Sequence, residues 1–360
     1  MITLGEGATT IPVRSLWFLL IYASDMLTHL RTPEREKILA GDRDNDLIDA
    51  IAEVLVSEVE ARLRRELTMQ YRSRQADLTR VRGRIDHLRT TSRRLTDQGR
   101  IACRFEELSV DSPRNRFVAS TLLSAAPALI RTDLAHRCRA AAFRMHRQGV
   151  TATSPSRVEM SRDQLGHHDT ADRRMLDAAY LLRDMAIPTH AKGAVDLPLL
   201  GGNASAHRKL FESAVRGYLR HTLTGTDWVV GARILKWTPP QTPHPEFLPI
   251  MRTDISLENP FTQQRIVIET KFTDALVTRD GKTTIKTDHL YQLYAYLSSQ
   301  VGFGSAAADS AQGVLLFVKT PERDLFEAEV TIQDHRMRFI SVDLATTPAQ
   351  IRARWSKCCE

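Results

Sequence analysis

The sequence is poor in cysteine and in long apolar segments, and each shortage excludes a class of protein. Its four cysteines form no C-x-x-C pair, so their spacing predicts neither a zinc site nor a disulfide framework. Two of them, Cys358 and Cys359, lie next to the C-terminus, where we expect little order. The longest apolar run, residues 16–23, is far shorter than the roughly 20 residues of a bilayer span, and no signal-peptide cleavage site follows it. We therefore expect a cytoplasmic protein without membrane contact, in which this run forms a buried helix.

The length and composition predict a globular chain of two domains. A chain of 360 residues exceeds one ordinary domain, and 42% hydrophobic with 26% charged residues is typical of a soluble protein. Residues 149–168 are polar and irregular, so we place a linker there and divide the chain into 1–165 and 166–360. His167-His168 in this linker lacks a second ligand pair at zinc-binding spacing.

Hydrophobic periodicity predicts mixed helices and strands in the first domain and an α/β order in the second. We expect helices at residues 15–22, 47–63, 115–130, 131–146, 169–185 (ended by Pro188), 208–221 and 288–299, and a loop at 201–203. We expect strands at residues 67–72 and 81–86, around an Arg-rich turn, and at 228–237, 248–257, 265–272, 313–319, 326–332 and 338–344.

The basic residues are concentrated in one segment. The formal charge is +7, and 41 of the 50 basic residues are arginine. Between Arg62 and Arg104 the sequence has 13 arginines and 4 acidic residues. Such a segment suits DNA or an acidic protein surface, although a solvated, arginine-biased face would look the same.

Three residues in the second half form a pattern with chemical meaning. Glu269-Thr270-Lys271 ends an apolar strand, and its two-residue spacing puts Glu269 and Lys271 on one face. Asp254 lies in the preceding strand, so a hairpin can bring it beside Glu269. Two close carboxylates repel each other unless a cation lies between them. A surface hairpin held by salt bridges would have the same spacing and remains an alternative.

A hard divalent ion explains these residue types. Mg²⁺, or Mn²⁺ in its place, prefers oxygen ligands, and the two carboxylates together with a main-chain carbonyl, which we assign to Thr270, would supply them. The ion would activate a water and polarise a phosphate, and Lys271 would stabilise the developing charge. Gln292 and Tyr296, four residues apart on one helix, could orient the water or a DNA phosphate. Glu212 on the earlier helix is a further acidic candidate.

The sequence does not predict nucleotide binding by this chain. Gly281-Lys282-Thr283 resembles the end of a phosphate-binding loop, but Leu276 stands where the motif requires its first glycine. The neighbouring dipeptide Asp280-Gly281 instead predicts a turn.

Several short segments follow one another along the chain: Ile11-Pro12-Val13-Arg14, Tyr22-Ala23, Val81-Arg82-Gly83-Arg84-Ile85-Asp86, Asn115-Arg116, Thr253-Asp254-Ile255, Ile268-Glu269-Thr270-Lys271-Phe272 and Leu290-Tyr291-Gln292-Leu293. Taken in this order, they resemble the McrC family, the nuclease subunit of the McrBC 5-methylcytosine restriction system. The similarity extends from about residue 10 to about residue 320. Thr253 replaces the proline of the PD-(D/E)xK motif, and Glu269 stands where aspartate is frequent.

The resemblance implies a magnesium-dependent endodeoxyribonuclease with a restriction-endonuclease-like α/β/α domain at residues 166–360. Its metal-binding carboxylates would be Asp254 and Glu269, and its lysine Lys271. It also implies that residues 1–165 dock on an McrB-like AAA+ GTPase hexamer and stimulate its GTP hydrolysis, and that the complex acts on double-stranded DNA containing methylcytosine.

Two other functions remain open. One is a regulatory subunit of the same motor that cuts DNA poorly, and the other is a standalone DNA-binding protein. Arg82 and Arg84 flank Gly83, a position that suggests a tight backbone, and they are candidates for contact with the partner or with DNA. A solvated turn is the alternative for this segment.

Overall fold

The computed structural model describes residues 2–4, 9–24, 26–30, 32–163, 170–190, 204–237, 244–302 and 304–360. The helices in this part of the chain are α1 (Val13–Ala23), α2 (Met26–His29), α3 (Thr32–Ala40), α4 (Leu47–Arg65), α5 (His87–Ser92), α6 (Pro113–Ala125), α7 (Thr132–Arg147), α8 (Arg157–Arg162), α9 (Thr170–His190), α10 (Ala204–Thr222), α11 (Thr287–Ser298), α12 (Ala306–Asp309) and α13 (Pro348–Ser356). The strands are β1 (Ile2–Leu4), β2 (Thr9–Ile11), β3 (Gln70–Leu78), β4 (Arg84–Ile85), β5 (Ile101–Ser109), β6 (Val229–Gly231), β7 (Ile234–Leu235), β8 (Met251–Arg252), β9 (Ile255–Asn259), β10 (Gln264–Lys271), β11 (Leu276–Arg279), β12 (Lys282–Ile285), β13 (Gln312–Val318), β14 (Glu327–Ile332) and β15 (His335–Val342). The fold is of the predicted α/β class.

The chain forms two compact units. Unit 1 comprises Met1–Leu47 and Ile187–Glu360, and unit 2 comprises Ile48–Ala186. The predicted division into 1–165 and 166–360 concerns partner docking and nuclease function, and it stays a prediction. His167, His168 and the predicted loop at 201–203 lie outside the described residues. Among the described helices, none is both long and apolar enough to cross a membrane.

A six-stranded sheet forms the centre of unit 1, with the strand order β14-β15-β13-β10-β9-β6. Strands β10, β13 and β15 run parallel to one another, whereas β6, β9 and β14 are antiparallel to their neighbours. Strand β13 is buried along almost its whole length, as expected for a parallel strand covered on both faces. A Cβ at Gly313 would lie 2.9 Å from the Leu297 side chain, so α11 packs closely on the sheet.

Helix α1 is buried in unit 1, as predicted. Its Phe18 and Tyr22 rings lie 5.3 Å and 6.2 Å from the ring of Trp355, which is itself fully buried. Gly217 on α10 faces α1, and a Cβ at this position would lie 1.8 Å from the main-chain oxygen of Tyr22. The close approach of α1 and α10 therefore requires glycine at this position.

The C-terminus is more ordered than predicted. Cys358 is fully buried, and its carbonyl accepts a hydrogen bond of 3.2 Å from the Arg338 guanidinium. The expectation of little order at Cys358 is therefore wrong, because this end of the chain packs on β15 instead of extending into solvent.

A buried ion network holds unit 2 together. The Arg114 side chain is 2% exposed; it forms an ion pair with Asp163 and another, at 3.0 Å, with Asp172. Arg62 also pairs with Asp172. The predicted linker thus contributes a buried residue, Asp163, to the core of unit 2. Removing one member of such a network leaves an uncompensated buried charge.

Strand β3 continues through residues that were predicted to form an Arg-rich turn after a strand at 67–72. It runs through Gln70–Leu78 and pairs along its length with β5, which pairs with β4 in turn. Residues 71–75 are all exposed, so the part beyond residue 72 lacks the apolar alternation on which strand prediction depends. The pairing with β5 therefore decides its conformation.

Two further comparisons with the sequence prediction concern the end of helix α9 and the turn at Asp280-Gly281. Helix α9 continues through Pro188 to His190, so the predicted end at the proline is wrong; a proline removes one helical hydrogen bond without always ending the helix. Asp280-Gly281 is a turn, as predicted, since it joins the antiparallel strands β11 and β12 with φ values of +49° and +74°.

Candidate active site

The β9–β10 hairpin brings Asp254 and Glu269 together. Its strands pair antiparallel with Ile255 opposite Ile268, so residue 254 lies across from residue 269. At the turn, the Asn259 side chain accepts two main-chain hydrogen bonds of 3.0 Å. The turn and the buried face of β10 fix this register, because a slip by one residue would move every side chain to the other face.

Asp254 is fixed through both its side chain and its main chain. Its Oδ2 accepts hydrogen bonds from the main-chain N–H of Thr270 at 2.8 Å and from the Thr270 hydroxyl at 2.7 Å. Its main-chain oxygen accepts hydrogen bonds from Nε and Nη2 of Arg216 at 3.1 Å and 2.7 Å. The carboxylate is therefore held against β10 beside Glu269.

Glu269 is a buried carboxyl group in which one oxygen is hydrogen-bonded and the other is not, within the described residues. The residue is 2% exposed, and its Oε1 accepts a hydrogen bond of 2.7 Å from Lys271 Nζ. Its Oε2 is buried and has no hydrogen-bond partner among the described residues. Burial and then the charge of Asp254 outweigh Lys271 and raise the pKa of Glu269 to about 7. A cation beside the carboxylates would relieve this cost.

A chain of hydrogen bonds orients Lys271. Its Nζ donates to Gln292 Oε1 at 2.8 Å, and Gln292 Nε2 donates to the Tyr296 hydroxyl at 2.7 Å. The Tyr296 hydroxyl donates in turn to the main-chain oxygen of Arg252 at 2.9 Å. Burial raises the pKa of Tyr296, so its hydroxyl keeps its proton. Gln292 and Tyr296 thus link the lysine to β8, the strand that precedes Asp254.

Glu212 on α10 belongs to the same electrostatic cluster. It forms an ion pair with Arg216, one turn later on the helix. Burial and the charge of Asp254 raise the pKa of Glu212. Arg216 therefore contacts both Glu212 and the main chain of Asp254, and it connects α10 to the hairpin.

Two residues of this site, Arg216 and His289, were not predicted from the sequence. Arg216 lies four residues after Glu212, and His289 lies three residues before Gln292, so helical spacing was the signal that could have identified both. Burial and then the charge of Lys271 lower the pKa of His289, which lies one helical turn from the glutamine that binds the lysine.

The donor set fits a hard divalent cation such as Mg²⁺. The carboxylates of Asp254 and Glu269 lie across from each other, and Glu269 has an unpaired buried oxygen. In the described part of the chain, no three His, Cys, Asp or Glu side chains form a ready cage for a metal ion. A pair of carboxylates suits Mg²⁺, which is usually held by one or two of them and retains several waters.

The candidate contact residues Arg82 and Arg84 belong to unit 2. Gly83 between them has φ of +68°, and a Cβ there would lie 2.5 Å from the Arg104 main-chain oxygen, which confirms the predicted tight backbone. The Arg82 guanidinium lies over the ring of Phe105, 4.2 Å from its centroid. Arg84 is opposite Arg104 in the strand pairing, and Arg104 also forms an ion pair of 3.6 Å with Asp86.

Comparison with known proteins agrees with the resemblance noted in the sequence. A curated relative, the "Type IV methyl-directed restriction enzyme EcoKMcrBC" of Escherichia coli (strain K12), is 22% identical over 350 residues, which are 96% of this chain and 94% of the relative. A solved half-complex of Thermococcus gammatolerans McrB AAA+ hexamers with bound McrC aligns with a TM-score of 0.44 and 13% identity, over 96% of this chain and 76% of that one. The Thermococcus gammatolerans McrBC complex aligns with a TM-score of 0.37 and 15% identity, over 59% of each chain.

The family match covers most of the sequence. A profile described as "McrBC 5-methylcytosine restriction system component" matches residues 13–301, which include α1, the whole of unit 2 and the β9–β10 hairpin with α11. The chain therefore belongs to the family of McrBC 5-methylcytosine restriction system components.

Proposed function

We propose that the chain is the Mg²⁺-dependent DNA endonuclease subunit of a modification-dependent restriction complex, with a core of the PD-(D/E)xK type. The buried Glu269, held across from Asp254 with one oxygen unpaired, is the observation that carries this proposal. Two adjacent carboxylates cost stability in a protein without a cation, and strongly perturbed carboxyl groups are typical of functional sites. A purely structural salt bridge between Glu269 and Lys271 would not need the second carboxylate, Asp254.

The residues present can perform phosphodiester hydrolysis. Asp254, Glu269 and the Thr270 carbonyl would hold Mg²⁺, which lowers the pKa of a bound water and polarises the phosphate. The Lys271 ammonium has three N–H donors. In the described structure it donates hydrogen bonds to Glu269 and Gln292. The third can stabilise negative charge on the phosphate oxygens.

The reaction consumes one water for each bond that breaks. The hydroxyl of the water ends on phosphorus, the ester bond to a sugar oxygen breaks, and that oxygen takes the proton. The hydrogen bonds from Lys271 to Gln292 and on to Tyr296 fix the ammonium before substrate arrives, which is how a positioned charge contributes most. Glu212 and Arg216 support the position of Asp254.

The proposed partner is an McrB-like AAA+ GTPase hexamer, and the proposed substrate is double-stranded DNA containing methylcytosine. Both follow from membership in the McrBC family and from the curated relative. We propose that the chain binds no nucleotide itself, because Leu276 interrupts the only segment that resembles a phosphate-binding loop. Specificity for the modified base would lie in the partner.

Cleavage assays with the co-purified partner test the catalytic assignment. Asp254→Ala and Lys271→Ala should abolish Mg²⁺-dependent cleavage of methylated DNA while partner binding is retained. Asp280→Ala is the control, since Asp280 lies in an exposed turn. Full cleavage by either active-site variant would contradict the assignment. Partner stimulation without any cleavage by the wild-type protein would instead support a regulatory subunit.

The Arg-rich sheet of unit 2 is the proposed contact for the partner. Strand β3 is largely exposed, and Arg84 faces a second arginine, so this surface favours an anionic neighbour. Arg84→Ala, alone and with Arg82→Ala, should reduce stimulation of the partner's GTP hydrolysis in DNA-free buffer. Arg139→Ala on α7, which removes another exposed arginine of the same unit, is the matched control.

Other outcomes of this experiment separate the alternatives for the sheet. If stimulation survives but cleavage falls, and the salt dependence of DNA binding flattens by roughly one unit for each lost phosphate contact, the arginines bind DNA. If neither activity changes, the segment is a solvated turn and the proposed contact is wrong. Robust sequence-specific cutting by the isolated chain would contradict dependence on the partner.

A further inference from the structure

His289 lies one helical turn before Gln292, on the face of α11 that meets Lys271. Residues three apart on a helix are neighbours, with Cβ atoms about 5–6 Å apart, and Gln292 Oε1 accepts a hydrogen bond from Lys271 Nζ. The His289 side chain is only 13% exposed. The imidazole therefore borders the lysine of the proposed catalytic centre from inside the protein.

One nitrogen of this ring has no partner. His289 Nδ1 is buried and makes no hydrogen bond within the described residues. The other nitrogen, Nε2, lies 3.8 Å from Asp288 Oδ2, which is too long for a hydrogen bond. Buried polar atoms in native structures are normally hydrogen-bonded, so this nitrogen can take a further partner.

The surroundings of the ring keep it neutral. The charged groups that influence it are Lys271 on β10, Lys286 and Asp288 at the start of α11, and Arg208 on α10, so cations predominate. Burial, followed by these cations, lowers the pKa of His289. A neutral imidazole has one nitrogen with a free lone pair, which can accept a hydrogen bond from an ammonium group.

Lys271 would need such an acceptor if Glu269 held a cation. In the described structure the ammonium donates to Glu269 and Gln292. A carboxylate that held Mg²⁺ would be a weaker acceptor for the lysine, which would then have one further N–H to place. We propose that His289 is a positioning residue whose Nδ1 accepts this N–H, so that Gln292 and His289 together aim the third N–H of Lys271 at the reacting phosphate. This inference rests on the proposed nuclease function.

Two substitutions at residue 289 test the proposal in the complex with the AAA+ partner. His289→Ala removes the acceptor, whereas His289→Asn places an amide oxygen at a similar reach. We expect the single-turnover cleavage rate to fall about tenfold or more in His289→Ala and to recover to within about threefold in His289→Asn, as for other residues that orient a reactive group. Tyr291→Ala, which changes an exposed residue of the same helix, is the control.

The split between rate and binding distinguishes positioning from a structural or DNA-binding role. The loss in His289→Ala should appear in the single-turnover rate at saturating DNA, with the melting temperature unchanged. The Kd for the same DNA, measured without Mg²⁺, should be unchanged in both variants.

Several results would overturn the proposal. A weaker Kd in His289→Ala with an unchanged rate would show that His289 contacts DNA directly. Equal losses of rate in both variants, with lower melting temperatures, would show a structural role only. If the wild-type complex does not cut DNA at all, the proposed nuclease function fails and this inference fails with it. If the wild-type complex cuts DNA and His289→Ala cuts it at the same rate, only the inference is rejected.

Discussion

Replacing Glu269 by glutamine removes one charge from the carboxylate cluster and keeps the shape of the side chain. In the folded protein, burial and Asp254 raise the pKa of Glu269 from its ordinary value of 4.5 to about 7. The carboxyl group therefore binds its proton more tightly in the folded state than in the unfolded state. Wild-type stability should consequently fall as the pH rises from about 4.5 through about 7 in the absence of metal.

The rise in pKa sets the size of this effect. A change from 4.5 to about 7 corresponds to about 3 kcal/mol once the pH exceeds both values. Because Glu269 is 2% exposed, solvent screens little of it. We expect Glu269→Gln to be about 2–3 kcal/mol more stable than wild type at pH 8, and less than about 1 kcal/mol more stable at pH 5, where the carboxyl is largely protonated in the folded state.

Urea unfolding at pH 5 and pH 8, in the presence of a chelator, measures this difference. Asp280→Asn is the matched control, since it removes a carboxylate from an exposed turn and should show no such pH dependence. Adding Mg²⁺ at pH 8 should stabilise the wild-type protein and leave Glu269→Gln almost unchanged. A variant that gains the same free energy at both pH values, or gains none, would refute the reasoning about the buried pair.

Three substitutions at glycine and arginine test the packing of the two units. Gly217→Ala should destabilise unit 1 by about 3 kcal/mol or more in urea unfolding, because the new Cβ would force α1 and α10 apart; the higher helix propensity of alanine offsets only part of this. Gly231→Ala is the control, since a Cβ there meets open space and should change the free energy of unfolding little. Arg114→Met should lower the free energy of unfolding by about 3–5 kcal/mol, because two buried aspartates lose their cation. Arg116→Met removes an ion pair with an exposed glutamate and should lower it by about 1 kcal/mol or less. Gly83→Ala should lower the melting temperature of unit 2, since the new Cβ would clash with β5; an unchanged melting temperature would contradict the tight approach.

The hairpin of the candidate site could be predicted because its signals are local. The apolar strand before Glu269, the two-residue spacing to Lys271 and the turn after Asn259 are all read within about twenty residues. The helix carrying Gln292 and Tyr296 has a clear period, and its one-turn spacing places both side chains on one face. The structure has each of these features where the pattern predicts them.

Strand β3 and helix α9 show where local patterns were insufficient. The part of β3 beyond residue 72 was predicted as a turn, because its exposed polar residues lie on both faces and show no alternation. Pairing with β5, about thirty residues later, decides its conformation. Helix α9 continues through Pro188 although the local rule ends a helix there.

Sequence periodicity and spacing were enough to predict the α/β class, the β9–β10 hairpin and the side chains that share its faces, because strand and helix geometry repeats every few residues. They could not predict that Glu269 is buried with one oxygen unpaired, that Arg216 holds the main chain of Asp254, or that His289 borders Lys271. Nor could they predict that α1, near the start of the chain, packs on α10 in the same unit as the hairpin. These features depend on contacts between residues far apart in sequence, and burial, which sets the pKa of Glu269, exists only once those contacts form.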